Sequence, residues 1–309
     1  MPARSPACLH CAERQRGAAV VLALLTVTFA AMLAAAALAD FGRGLEAVSG
    51  RRDQAQSRQL ARAAVDWARQ VLAQDMRESN VDHRGENWTI RIPPTPLGED
   101  AADGTIAGEI IDLSGRFNLN DLAPAGVPNN AAGARLQRLI ELLGTPPESA
   151  HASVIAMTQW IAAAPRRDTD RAPHAALVIA EEAASIPGID QNLLTRLDPY
   201  ITAVPAPTPT PVNVNTAPAE VLASLVPGLG IDLARVLVSE RERAWFRDLT
   251  DFGARLPQGA TPPSAQLASV SSRHFLVTIH ARYGVSVTRL EALLDRQKLW
   301  PELLWYRLP

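Results

Sequence analysis

The hydrophobic pattern of this chain changes its period along the sequence, and each change predicts a different element. Residues 18–39 carry no charge for 22 residues, and a helix of that length spans about 33 Å, enough to cross a hydrocarbon core of about 30 Å. From Leu60 to Leu72 the apolar residues recur every three to four positions, which predicts a helix with one apolar face. We therefore expect one long helix, with its first half in lipid and its second half on a protein surface.

Alternating apolar and polar residues predict short β-strands on both sides of a central helical region. The predicted strands are 87–92, 106–113, 116–120, 274–281 and 285–290. A last amphipathic stretch contains Trp300 and Trp305. Because strands precede and follow the helices, the helical region is predicted to be inserted into a small antiparallel sheet.

The central region reads as short amphipathic helices separated by proline and glycine. Residues 203–211 have proline at every second position from Pro205, which predicts a stiff polyproline-type linker. Thr216 and Asp232 are predicted to cap the two helices after this linker. The predicted helices are 131–143, 153–164, 175–185, 191–197, 217–225 and 233–242. The fold class is α+β, with a long N-terminal helix on a small sheet and a large all-α insert.

The segment before the apolar run has three interpretations. Arg4, Arg14 and Arg16 precede the run, and Glu13 is the one acid among them, so the positive-inside bias keeps the N-terminus cytoplasmic. A simple signal anchor satisfies this pattern. Ala37-Leu38-Ala39 has the form that signal peptidase reads, although the apolar core is longer than a signal peptide usually has. The third interpretation is a prepilin-like leader, cut after Gly17 with the apolar helix retained.

Composition and charge exclude some classes of function. The net charge is −2, which favours neither nucleic acid nor anionic lipid as a partner. The two cysteines, Cys8 and Cys11, lie in the leader, and a lone C-x-x-C pair is a weak metal signal. The histidines are scattered without the spacing of a zinc site or a nucleophile's base, so we expect no catalytic site.

Two local motifs suggest ligands. Residues 226–231 resemble the hairpin of a helix-hairpin-helix, whose backbone N–H groups hold a DNA phosphate, but acidic residues surround it and favour a structural role. Asp168 and Asp170 are candidate calcium ligands. Three arginines surround them, however, and a solvated loop explains the same pattern.

Together these features resemble the minor pseudopilin K family of type II secretion systems. The residues that carry the resemblance are Arg16-Gly17 with the apolar helix, the segment 112–122, Trp160, and the segment 212–222 with the Pro-Gly hairpin after it. The resemblance implies cleavage by a prepilin peptidase between Gly17 and Ala18 and methylation of the new N-terminus. It also implies an inner-membrane, single-pass protein with its C-terminal domain in the periplasm.

The resemblance further implies that the protein initiates and caps the tip of the periplasmic pseudopilus. Its expected partners are the other minor pseudopilins, the major pseudopilin and the prepilin peptidase, and not nucleic acid. The alternatives are a membrane-tethered DNA-uptake protein or a minor pilin of a type IV pilus. The expected organisation is leader 1–17, membrane helix 18–39, pilin-like helix and first strands 40–122, first part of the insert 123–202, linker 203–211, second part of the insert 212–270, and closing strands 271–309.

Two positions differ from what pilin-like relatives carry. Family members often have an acid-rich calcium-binding segment where this chain has residues 159–164, with no acid among them. Pilin-like helices usually carry glutamate at the fifth mature position, which here is Leu22. The glutamate pairs with the free amine of the subunit above, and an unpaired carboxylate in lipid costs about 2–4 kcal/mol. Leu22 therefore predicts a subunit with none above it, at the tip.

Overall fold

The computed structural model describes residues 11–98, 104–162, 176–205 and 207–309, with the side chains from residue 17 onward. Its dominant element is helix α1, Cys11–Glu78, which is 68 residues long. At about 1.5 Å per residue this helix extends about 100 Å. The single predicted helix is therefore continuous, and it runs through Gly42, Gly44 and Gly50 without a break.

Helix α1 packs on one face of a five-stranded antiparallel sheet. Its buried positions Ala61, Ala64, Ala68 and Leu72 recur at helical spacing, as the sequence predicts. They contact strand residues such as Val277, and together they form one hydrophobic core. The strand order is β1-β2-β7-β8-β9. The strands are β1 Ile92–Pro96, β2 Thr105–Asp112, β7 His274–Tyr283, β8 Ser286–Asp295 and β9 Glu302–Arg307.

The chain between β2 and β7 forms the insert. Its helices surround a second, larger hydrophobic core, separate from the core under α1. Two short parallel pairs tie distant parts of the insert together, β3 to β4 and β5 to β6. The helices are α2 Asn130–Leu142, α3 Pro147–Ala162, α4 Gln191–Leu197, α5 Ala219–Leu225, α6 Ile231–Arg243 and α7 Leu249–Ala254. The short strands are β3 Phe117–Asn118, β4 Ile201–Thr202, β5 Val212–Asn213 and β6 Ala268–Ser269.

The sheet and α1 run side by side, which fixes where the insert lies. The tight turn between β7 and β8 contacts α1 on the side of the apolar half of the helix, where Val285 N donates to Asp53 Oδ2 (3.3 Å). The opposite ends of these strands lie at the far end of α1, where Arg296 contacts Asp75. Because the insert leaves β2 and re-enters β7 at that same end, it occupies the part of the molecule farthest from the apolar helix.

Several predicted elements differ locally. The first predicted strand, 87–92, is wrong at residues 87–91: residues 87–89 form a 3₁₀ turn, and β1 begins only at Ile92. The turn buries Trp88 edge-on against Phe275, with ring centroids 5.4 Å apart. The predicted helix 175–185 is reduced to a 3₁₀ helix at Ala180–Ser185. Before it, the side chain of Asn120 accepts from Leu177 N and donates to Leu177 O, which holds this segment out of a helix.

Tertiary contacts also change two caps and one terminal element. Pro218 caps α5, because the Thr216 hydroxyl donates to Asp112 instead. Gly230 caps α6, and Asp232 lies in its first turn. The final amphipathic stretch is the edge strand β9, since it pairs with β8 over Glu302–Arg307.

Candidate functional site

The first candidate site is the apolar half of α1, which holds the predicted processing and assembly residues. This helix is apolar and long enough to cross a membrane, and none of its most apolar 18-residue window is buried in the structure. Gly17 and Ala18 are exposed, and α1 is continuous through them. Leu22 is 62% exposed. The part of the chain that the structure describes therefore leaves Gly17, Ala18 and Leu22 uncovered.

A second exposed apolar surface lies along one flank of α1, beside β1 and β2. Trp67 of α1 is 54% exposed and Ile90 is 63% exposed, which is unusual for such large apolar side chains. A cavity of about 260 Å³ lies between them, lined mostly by apolar side chains. We call this surface the apolar groove; its lining includes Trp67, Val71, Ile90, Ile92, Ile106 and Ile110.

The end of α1 meets the insert through a buried cluster of charges. Asp75, Asp82 and Glu86 bring their carboxylate oxygens within 4.8 Å of one another. Arg296 supplies the balancing cation: its guanidinium donates to Asp75 Oδ2 (2.7 Å), to Asp82 Oδ1 and to Ser272 O (3.0 Å). Since both Arg296 and Asp82 are almost fully buried, the cluster locks the closing segment onto α1.

Burial and mutual repulsion perturb the pKa values of these carboxyl groups. Burial and the neighbouring charge of Glu86 raise the pKa of Asp75 to about 7, despite Arg296. Burial likewise raises the pKa of Glu86, and that of Asp112, which accepts hydrogen bonds from Ser272 and Thr216. The cluster therefore contains more carboxyl groups than the one positive charge of Arg296 can neutralise.

The segment 212–222, which carried much of the family resemblance, belongs to the same junction. Asn213 Nδ2 donates to Asp82 O (3.0 Å) and to Ser272 Oγ (2.7 Å). The side chain of Asn215 donates to Phe246 O (2.9 Å) and accepts from Phe246 N (2.8 Å). Both asparagines are buried. Asn213 joins the insert to the pilin-like part through Asp82, and Asn215 ties two segments of the insert together. A structural role explains this motif.

The segment 112–122, which also carried part of the family resemblance, holds the proline-rich linker through buried polar side chains. Asn118 and Asn120 both donate to Val204 O (3.0 Å each). Asp121 accepts from the backbone and hydroxyl of Thr210. These contacts attach the described ends of the linker, at Val204 and Thr210, to the insert.

The Pro-Gly hairpin packs inside the insert. Gly228 has φ +83°, and a Cβ built there would lie 2.5 Å from Gly259 O, so another loop covers this turn. The neighbouring carbonyls accept from Thr261 N (3.0 Å) and from Arg138 Nη2 (2.7 Å). The first arginine after the hairpin, Arg235, pairs with the carboxylates of Glu220 and Asp232. The structure therefore favours the structural interpretation over phosphate binding.

The calcium candidates Asp168 and Asp170 lie outside the described residues, as does Cys8. The Arg296 cluster is the junction feature that sequence reasoning missed. Asp75, Asp82 and Glu86 are ordinary surface residues by sequence, and Arg296 follows more than 200 residues later. Only the tertiary fold brings them together.

Comparisons with known proteins agree with this architecture. Residues 115–206 and 212–271 match two family models, both described as type II secretion system protein K. The chain is 27% identical to the type II secretion system protein K of Klebsiella pneumoniae, over 92% of this chain and 94% of the relative. It belongs to the protein K family of type II secretion systems. The family prediction is confirmed, and with it the role of a minor pseudopilin.

Further relatives and a solved structure support the assignment. The protein K of Pectobacterium carotovorum is 26% identical over 91% of this chain and 93% of its own length. The fold resembles a chain in the crystal structure of the GspK-GspI-GspJ complex from the type 2 secretion system of enterotoxigenic Escherichia coli, with a TM-score of 0.70 and 20% identity. The match covers 85% of this chain and 99% of that chain, so the α+β pilin-like fold is shared over that part of the chain.

Proposed function

We propose that this family member is a single-pass inner-membrane protein that caps the tip of a periplasmic pseudopilus. The proposal rests on the observation that α1 exposes large apolar surfaces along both of its halves. Its apolar half is wholly exposed, and its second half leaves the apolar groove open beside Trp67. A protein of this family covers the first surface with lipid and the second with neighbouring subunits. Its role is assembly rather than catalysis.

The proposed processing residues are Gly17 and Ala18. A prepilin peptidase acts at the membrane face and removes residues 1–17, which leaves Ala18 as the methylated N-terminus. The arginines of this leader keep it on the cytoplasmic side, and the periplasm receives the folded domain.

Two features support a position at the tip. Leu22 carries no charge with which to pair the N-terminus of a subunit above. The insert occupies the end of the molecule farthest from the anchor, where it obstructs a subunit stacking above. Assembly therefore proceeds from below, with the other minor pseudopilins beside the long helix and the major pseudopilin beneath. The complex named for the similar E. coli chain contains GspI and GspJ, which supports sibling pseudopilins as partners.

Mixing the full chain with each sibling minor pseudopilin in detergent, and measuring mass by light scattering, tests the proposal. We expect a stable heteromeric complex and no filaments of this chain alone. Leu22→Glu lies in the membrane helix, so complex formation outside the membrane is expected to persist. A chain that stays monomeric with every sibling, or that polymerises alone, contradicts the tip assignment.

A further inference from the structure

The flank of α1 that faces β9 carries a row of four arginines, Arg51, Arg58, Arg62 and Arg69, which we call the arginine row. At 100° per residue these positions fall within about 40° of one another around the helix. Their contacts fix the side: Arg62 lies over the Tyr306 ring (5.7 Å) and Arg69 over the Trp300 ring (4.7 Å). The row spans 18 residues, or about 27 Å.

Most of this charge has no internal counterion. Arg69 pairs with Asp66 (3.0 Å) and donates to Pro301 O (2.9 Å). Arg62 donates to the Tyr306 hydroxyl (3.3 Å). Within the described chain, no carboxylate lies in ion-pair distance of Arg51, Arg58 or Arg62, and all three are exposed. The row therefore presents three uncompensated positive charges in a line.

The two flanks of α1 differ in chemistry. The opposite flank holds the apolar groove, with Trp67 and Val71. Such an asymmetric helix distinguishes a neighbour on one side from a neighbour on the other, because charge complementarity sets specificity and register.

We propose that the arginine row binds an acidic row on the long membrane-anchored helix of a sibling minor pseudopilin. The proposal rests on the proposed function. A row of about 27 Å is too long for one small anion and matches a helix that runs alongside. Arg62 and Arg69 follow Ala39 by 23 and 30 residues, about 35–45 Å of helix. That distance exceeds the Debye length of about 8 Å several-fold, so the row extends beyond the attraction of a lipid surface.

The experiment uses the full chain in neutral phosphatidylcholine nanodiscs and each purified sibling minor pseudopilin as the probe. The double variant Arg51→Glu/Arg58→Glu is expected to weaken binding to one sibling about tenfold at low salt, because two attractions become repulsions. The difference shrinks at 0.5 M NaCl. Arg51→Lys/Arg58→Lys keeps the charge and is expected to keep most of the affinity.

A matched control reverses two exposed arginines elsewhere, Arg243→Glu/Arg282→Glu, and is expected to leave the affinity unchanged. Arg51 and Arg58 make no side-chain hydrogen bond or ion pair within the described residues, so equal thermal unfolding of variant and wild type checks the fold.

Three results overturn the proposal. If the wild type binds siblings and the double reversal binds equally well, the row is not an interface, while the proposed function stands. If the wild type binds no sibling, both proposals fail. If the variant differs from the wild type only in nanodiscs that contain phosphatidylglycerol, the row binds lipid.

Discussion

The guanidinium of Arg296 contacts the carboxylate of Asp82 across 214 residues of sequence, and both side chains are about 95% buried. This pair joins the segment after β8 to the loop after α1, at the point where the insert begins and ends. Removing one partner of a buried pair leaves an uncompensated charge in a low-dielectric environment. The stability of the whole junction therefore depends on this arginine.

Replacing Arg296 with methionine should lower the free energy of unfolding by about 3–5 kcal/mol, because Asp75, Asp82 and Glu86 then lack a cation. Chemical unfolding of the full chain in detergent, followed by tryptophan fluorescence, measures the change. Arg282→Met removes an exposed arginine and should change stability by less than about 0.5 kcal/mol. Equal stabilities for the two variants would show that the cluster does not hold the junction.

The junction should respond to pH through Asp75. Its folded-state pKa of about 7 lies above the value of 3.8 expected in the unfolded chain, so the folded state binds the proton more tightly. Its contribution to stability therefore increases as the pH falls from about 7 to about 4. Asp75→Asn should remove this dependence, on the order of 2 kcal/mol. Unfolding curves at pH 8 and pH 5 measure it.

A second buried group opposes this trend in the wild type. Burial lowers the pKa of His274 to about 4, below its unfolded value of 6.5, so its contribution to stability is lost as the pH falls through this range. Asp75→Asn should therefore lose stability relative to the wild type as the pH falls from 7 to 5, because it lacks the proton uptake that opposes His274. An identical pH profile for both proteins would refute the assignment.

Substitutions at two glycines with the same φ angle distinguish the cost of backbone strain from the cost of a steric clash. Gly228 and Gly188 both have φ +83°, but only at Gly228 does an added Cβ meet another backbone, at Gly259 O. Gly188→Ala should cost about 1–2 kcal/mol from the left-handed conformation alone. Gly228→Ala should cost more, because the loop over the hairpin must also move. Equal costs in thermal unfolding would mean that the hairpin is not covered as described.

The leader should be cut after Gly17. A bulky residue there, as in Gly17→Phe, should leave the precursor uncut, because the peptidase requires a small residue before the cleaved bond. N-terminal sequencing and a mobility shift measure this, and a Thr28→Ser variant deeper in α1 should be processed normally. A mature chain that begins at Asp40 would instead establish the signal-peptide interpretation.

The hairpin should not bind DNA. Another loop covers its turn at Gly228, and Arg235 is paired with two carboxylates. Fluorescence anisotropy with duplex DNA at about 0.15 M salt should therefore show no binding by the full chain in detergent. Salt-sensitive micromolar binding that Arg235→Ala abolishes would contradict this.

The sequence by itself determined the elements whose signal is local and periodic. The uncharged run 18–39 and the 3.6-residue pattern from Leu60 to Leu72 predicted α1, and the alternation at 274–281 predicted the central strand. These patterns are sufficient because each residue's burial follows from its own spacing along one element. The family and the pilin-like fold were already identifiable at this level.

Only the tertiary structure determined the features that depend on contacts between residues distant in the sequence. Residues 87–89 turn because Trp88 is buried against Phe275, and residues 176–179 stay out of a helix because Asn120 pairs with Leu177. The charge cluster at Arg296 and the side of α1 that β9 covers were likewise invisible in the sequence. In each case the partner lies tens to hundreds of residues away, and only packing brings it within bonding distance.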